Sequence, residues 1–244
     1  MDFTLAKYRQ LLDALRAYSF ESLTLRHDVD LKPANSLRTA RMEAESGLRG
    51  IYYFRAVPES WDESVIRDIA SLGHEIGYHY ESLTTCNGDI DKAYEDFCKN
   101  LEALRGLVPV RSICMHGSPR SPYDSKDIWK KYDYHSIGIE NEPYLDTDFS
   151  KVFYLTDTGR RWDGYKVSVR DKIPQYQDEW TAKGLLFHST DDVIEGLHEG
   201  RVPKNLMITV HPQRWNPFGP AWCREAILQN AKNMVKRIII NKDK

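Results

Sequence analysis

Leu23-Thr24-Leu25-Arg26-His27-Asp28-Val29-Asp30 is the stretch on which the reading of this chain turns. An apolar, β-favouring run feeds straight into a cluster of charge, and Pro33 then opens a helical pattern. Charges carried into a core at a strand end are costly unless they pair or bind a metal. A short strand that ends in His27, Asp28 and Asp30 therefore reads as one wall of a site. In parallel α/β folds such walls lie where strands end and helices begin. The simpler alternative is a solvated turn in which Asp30 caps the following helix.

Working outward, strand-like and helix-like segments alternate. Strands are expected over 51–54, 74–79, 110–115, 136–139, 152–155, 165–169, 185–188 and 206–210. Helices are expected over 33–46, 63–72, 90–104, 124–131, 191–198 and 221–239. This alternation argues for a parallel sheet covered by helices, and about seven such units suit a closed or nearly closed barrel. A flat doubly wound sheet is the competing arrangement, but no Gly-x-Gly-x-x-Gly follows the first strand. Residues 1–22 carry Leu5, Tyr8, Leu11, Leu12 and Leu15 at helical spacing, which predicts an amphipathic helix packed on a single domain formed by 23–244.

The 244 residues are 41% hydrophobic and 29% charged, with a net charge of −2 and both signs dispersed. That balance supplies a core and advertises no polyanion-binding surface, so nucleic acid is not an expected partner. No apolar run approaches the about 20 residues that span a bilayer, and the first segment lacks a signal peptide's apolar core. A cytoplasmic protein without a membrane partner is the expectation. Cys86, Cys98, Cys114 and Cys223 show no Cys-x-x-Cys spacing and read as free thiols.

Three more stretches repeat the pattern of an apolar run ending in a histidine. In Gly73-His74-Glu75-Ile76-Gly77-Tyr78-His79-Tyr80-Glu81, the two histidines point to opposite faces of a strand. His74 suits a structural role and His79 lies at the strand end, with Glu81 either turned inward or facing solvent. Ile113-Cys114-Met115-His116-Gly117 and Met207-Ile208-Thr209-Val210-His211-Pro212 end likewise. A barrel gathers such ends around one mouth. Imidazole and carboxylate ligands without thiolates suit zinc or a similar divalent ion, with a spare carboxylate and imidazole left for general base and acid. Those residues outline a metal hydrolase.

These stretches resemble the NodB-homology polysaccharide deacetylases, carbohydrate esterase family four. Asp28-Val29-Asp30 resembles the first motif, usually Thr-Phe-Asp-Asp-Gly, which implies that Asp28 is the catalytic base and Asp30 a metal ligand. Gly73 to His79 resembles the segment Gly-His-Glu-Ile-Gly-x-His, which makes His79 a ligand. Tyr154 to Trp162, with Asp157 and Trp162, resembles an Asp-and-Trp motif that lines the substrate pocket. Val210-His211 resembles the last motif, whose histidine is the general acid. The resemblance covers about Leu23 to Arg214 in the expected order. It implies a distorted seven-stranded (β/α) barrel, a divalent metal (zinc first) and removal of an N- or O-acetyl group from a sugar or glycan precursor.

Two positions depart from that pattern. The second ligand histidine usually follows the first by four residues, where this chain has Leu83. His116 or Glu81, or else an extra water, then completes the ligand set, with His116 favoured because its strand end should face the pocket. Arg120-Ser121-Pro122-Tyr123 matches the third motif in letters but lies beyond the His116 turn, so Arg26 or Arg120 is expected to hold the base carboxylate. Trp162, Trp215 and Phe218 are candidates for sugar-stacking walls, and Glu140 to Asp148 reads as an acidic surface loop. His135, His188 and His198 have no assigned partner. Two other functions fit the same residues: a catalytically silent carbohydrate-binding barrel, and a metal-dependent hydrolase of another small-molecule amide.

Overall fold

A computed structural model of the chain describes residues 1–118, 121–163 and 172–242. Six strands form one parallel sheet: β1 (Ser22–Val29), β2 (Ile51–Phe54), β3 (Glu75–Tyr80), β4 (Val110–Met115), β5 (Phe153–Thr156) and β6 (Asn205–Val210). Their order is β4-β3-β2-β1-β6-β5, with every recorded pairing parallel. The architecture is α/β. The described residues show this six-stranded sheet with β4 and β5 at its edges, and not the expected seven-stranded barrel as such. Among the described residues, the single bridges Ser112–Asn141 and Thr156–Asp163 stand beyond these edges.

Helices α1 (Leu5–Ala17), α2 (Pro33–Glu45), α3 (Glu63–Ser71), α4 (Ser82–Thr85), α5 (Ile90–Arg105), α6 (Pro143–Asp146), α7 (Pro174–Ala182), α8 (Thr190–His198) and α9 (Pro220–Lys242) connect and flank the strands. Several of these starts have a side-chain cap. Thr4, Asp62, Asp89 and Ser189 cap α1, α3, α5 and α8 by accepting backbone N–H groups that have no partner within the helix. In α1, Tyr8, Leu11, Leu12 and Leu15 are buried, each stabilising the fold by about 1.5–3 kcal/mol if fully withdrawn from water. Among the described residues no helix is long and apolar enough to cross a membrane.

Three expected elements differ. Residues 136–139 form no strand: a 3₁₀ turn, His135–Ile137, ends at Gly138 in the left-handed region with φ 74°. Residues 185–188 run as irregular chain into α8, where the apolar Phe187 is buried without any strand partner. The acidic stretch from Glu140 is not wholly a surface loop. Glu142 is fully buried, accepts the Met115, Tyr144 and Leu145 amides at 2.9, 2.7 and 3.1 Å, and starts α6. The predicted strand at 165–169 lies outside the described residues.

Parallel register decides what shares a face. Asp28 pairs with Tyr53 and Tyr53 with Gly77; His79 pairs with Cys114, and Arg26 with Thr209. Since side chains alternate along a strand, one face carries Arg26, Asp28, Tyr53, Ser112, His79 and Cys114. Gly77 is required on that face: an added Cβ would collide with the Tyr53 ring. The opposite face presents His27, Tyr52 and His74 to α2. There Glu43, fully buried, lies 3.0 Å from His27 Nε2 and accepts from Tyr52 Oη at 3.0 Å and from the Tyr8 hydroxyl. His27 is therefore no part of the β1 site wall, and it holds α1 and α2 against the sheet instead. His74 receives the Gly50 amide at Nδ1 and donates from Nε2 to the Ala40 carbonyl at 2.9 Å, a structural role.

Candidate metal centre

The C-terminal ends of β1, β3, β4 and β6 converge on a group of polar side chains. Asp30 follows β1 and does not cap α2, whose N-cap is Lys32 at φ 57° with no side-chain bond. Instead, Asp30 Oδ1 stands 3.7 Å from His79 Nε2 and 3.5 Å from His116 Nε2. The ligand atoms of Asp30, His79 and His116 all lie within 4.8 Å of one another. Gln213 Nε2 donates to the other Asp30 oxygen at 2.9 Å. Burial opposes ionisation of Asp30, but the bond from His79 and the charges of His116 and His211 hold its carboxyl well below the usual range.

Both imidazoles are oriented from behind. His79 Nδ1 donates to the Cys114 carbonyl at 2.9 Å. His116 Nδ1 donates to Glu81 Oε2 at 2.9 Å. With each Nδ1 engaged as a donor, Nε2 is the ring atom that both histidines present toward Asp30. Glu81 is thus not in the ligand group: it fixes the ring of His116, the role carboxylates commonly take behind metal-binding histidines. Arg55 holds Glu81 with bonds of 3.0 and 2.6 Å. Despite burial, His116 and Arg55 pull the Glu81 pKa down to about 2. Leu83 is buried in the apolar core on α4 and takes no part.

Asp28 lies beside this triad, its Oδ2 3.8 Å from His79 Nε2. Arg26 grips it in a buried fork, Nε to Oδ1 at 2.9 Å and Nη2 to Oδ2 at 2.7 Å. Burial disfavours the guanidinium charge, yet Asp28 outweighs it and raises the Arg26 pKa. Of the two arginines expected to hold Asp28, Arg26 does so, and Arg120 lies outside the described residues.

His211 follows β6. Its Nδ1 donates to Asp157 Oδ1 at 2.6 Å, and its backbone N–H points at both Asp157 oxygens at 3.1 Å. Arg214 Nη1 and Trp215 Nε1 donate to the same carboxylate at 2.7 and 2.8 Å. Burial and Arg214 oppose a charge on His211, but Asp157, helped by Asp30, raises its pKa above the ordinary value. For Asp157, burial is overcome by Arg214 and His211, and its pKa is lowered.

This arrangement corrects the expected pocket lining. Asp157 is fully buried and orients His211, with no surface left for substrate. Trp215 is also fully buried, packed by Phe3 and Tyr8 at ring separations of 4.9 and 4.8 Å. Trp162 is buried and donates to Thr190 Oγ1 at 2.9 Å. Neither indole offers a stacking face. Phe218 is 66% exposed. His188 bonds Asp163 Oδ2 at 2.8 Å and His135 bonds the Ile139 carbonyl at 2.9 Å, both apart from the triad. Gln213, Arg55 and Arg214 were not among the expected site residues. Gln213 and Arg214 lie within three residues of His211, the one signal that pointed to them.

No family model matches the chain, and no curated protein matches it. The residues themselves carry the functional reading.

Proposed function

We propose that this chain is a metal-dependent hydrolase that removes an acetyl group, as amide or ester, from a sugar or sugar-containing precursor. The observation that carries the reading is the convergence of Asp30, His79 and His116, with both imidazole Nε2 atoms turned toward Asp30 Oδ1. One carboxylate and two imidazoles, each braced at Nδ1, suit zinc or a similar divalent ion. The resemblance of Asp28-Val29-Asp30, Gly73 to His79 and Val210-His211 to NodB-homology deacetylases supports the same chemistry and a barrel-like closure of the sheet.

Asp30, His79 and His116 would hold a divalent ion, which would supply Lewis-acid polarisation of an acyl carbonyl and an acidified water. Asp28, fixed by the Arg26 fork, would accept the proton of the attacking water. His211, protonated at Nε2 and held at Nδ1 by Asp157, donates a proton to the departing nitrogen or oxygen. The raised pKa of His211 suits an acid that is to be charged near neutrality.

The burial of Trp162 and Trp215 favours a second reading, hydrolysis of a non-sugar amide by the same groups. Elemental analysis of the purified protein, with Asp30→Asn and His79→Gln variants, tests the shared premise. About one equivalent of zinc, cobalt, nickel or iron, lost in the variants without unfolding, is expected. No metal after reconstitution with excess zinc overturns it. Acetate release from N- and O-acetylated sugars against a panel of small acyl amides then separates the two substrates.

A further inference from the structure

A second group of metal-ligating side chains sits one layer deeper in the sheet. Asp28, His79 and Cys114 are all buried, with exposures of 4, 2 and 0%, and their ligand atoms also lie within 4.8 Å of one another. Register brings them together: His79 and Cys114 are directly paired across β3 and β4. The only His79 atom open to either group is Nε2, since Nδ1 is bound to the Cys114 carbonyl. One imidazole thus serves two groups of different chemistry, the outer one built from oxygen and nitrogen, the inner one holding a sulfur.

The geometry points to an inner site for a thiophilic cation, mutually exclusive with an ion in the outer triad and formed by Asp28, His79 and Cys114. Sulfur selects soft ions, and histidine with carboxylate completes a set that such ions accept. Arg26 decides between ion classes. Its guanidinium lies 2.7 Å from Asp28 Oδ2, and that fixed positive charge opposes a hard cation, which relies on charge attraction alone. A bond of covalent character to sulfur is less affected. Binding replaces the thiol proton: Cd²⁺ and Cys114–SH give a Cd–S bond and release one H⁺ to solvent. Because the site engages Asp28, the group assigned as base above, an ion held there silences hydrolysis. That consequence rests on the proposed function, whereas the inner site does not.

Cadmium titration read by the ultraviolet sulfur-to-cadmium absorption tests the proposal. The other three cysteines are removed as Cys86→Ser, Cys98→Ser and Cys223→Ser, leaving Cys114 as the sole thiol. In that background one equivalent of Cd²⁺ is expected to give the band. Cys114→Ala and, separately, His79→Gln are expected to abolish it, while His116→Gln retains it. Prior loading with one equivalent of zinc is expected to weaken apparent cadmium affinity at least tenfold through the shared imidazole. Absence of the band when Cys114 alone remains, in protein shown folded by circular dichroism, overturns the site. Simultaneous retention of one zinc and one cadmium overturns exclusivity. A cadmium band without any zinc binding in wild type leaves this site standing and removes the proposed hydrolase instead.

Discussion

His211 Nδ1 lies 2.6 Å from Asp157 Oδ1, and the same carboxylate is also gripped by Arg214 and Trp215. His211 is thus held by a carboxylate that cannot turn away. In Asp157→Asn the shape is preserved and the charge is lost, so the pKa of His211 falls. Turnover is expected to drop roughly 10²- to 10⁴-fold, and the alkaline limb of the kcat profile to move to lower pH. Unchanged limbs in the pH–rate profile would remove His211 from the role of acid.

The same pair predicts how stability follows pH. His211 is raised in the folded state, so its contribution is complete below its unfolded pKa and is lost as pH climbs through the folded value. Asp157 is lowered, so its contribution is present above its unfolded pKa and is lost as pH falls through the folded value. Together they favour a plateau between the two. Urea denaturation across pH is expected to show Asp157→Asn losing most stability inside that plateau and least at its acid end.

Glu81 acts through His116. Replacing it with Gln removes the charge behind the imidazole, and zinc affinity is expected to fall about 10- to 100-fold. Because the Glu81 pKa lies at about 2, wild-type affinity between pH 5 and 8 should follow histidine protonation and not Glu81. Competition with a chromogenic chelator measures both. Equal affinities for wild type and Glu81→Gln would leave Glu81 a surface ion-pair partner of Arg55.

Arg26 and Asp28 form a buried ion pair whose partners suffer when separated. Arg26→Leu strands an unpaired carboxylate and is expected to cost about 3–5 kcal/mol in chemical unfolding. Adding Asp28→Leu should recover much of that loss, since an apolar pair of similar volume often substitutes well. A double variant no more stable than Arg26→Leu alone would show that the fork itself, and not its charge balance, holds this layer.

The strands were legible where apolar runs met a charged or histidine end, because burial on both faces leaves an unbroken β-favouring run. Ile51–Phe54 is read without error for that reason. Leu185 to His188 carries the same signal, but a strand needs a neighbour, and pairing is not written in one segment. The proximity of Asp30, His79 and His116 followed from strand-end position, and Leu83 lies in the apolar core. What composition could not supply was the facing of side chains. His27 adjoins Asp28 in sequence yet lies on the other side of the sheet, bound to Glu43. Asp157, Trp162 and Trp215 were read as pocket walls because polar and aromatic residues near a motif look alike whether they line it or brace it. Gln213 was invisible, since its amide meets Asp30 only after a separation of 183 residues is closed.

That separation has a consequence for how the chain matures. Asp30, His79, His116 and His211 come from four different strand ends, and no short segment holds more than one of them. A nascent or half-collapsed chain therefore offers nothing a cation would prefer over solvent, and occupancy begins only once β1, β3, β4 and β6 are aligned. An ion that recognises only the finished molecule draws the equilibrium toward it by mass action. Under the proposed function, metal supply would set the lifetime of this protein as much as its activity, and starvation for the ion should register first as faster turnover of the polypeptide by proteases.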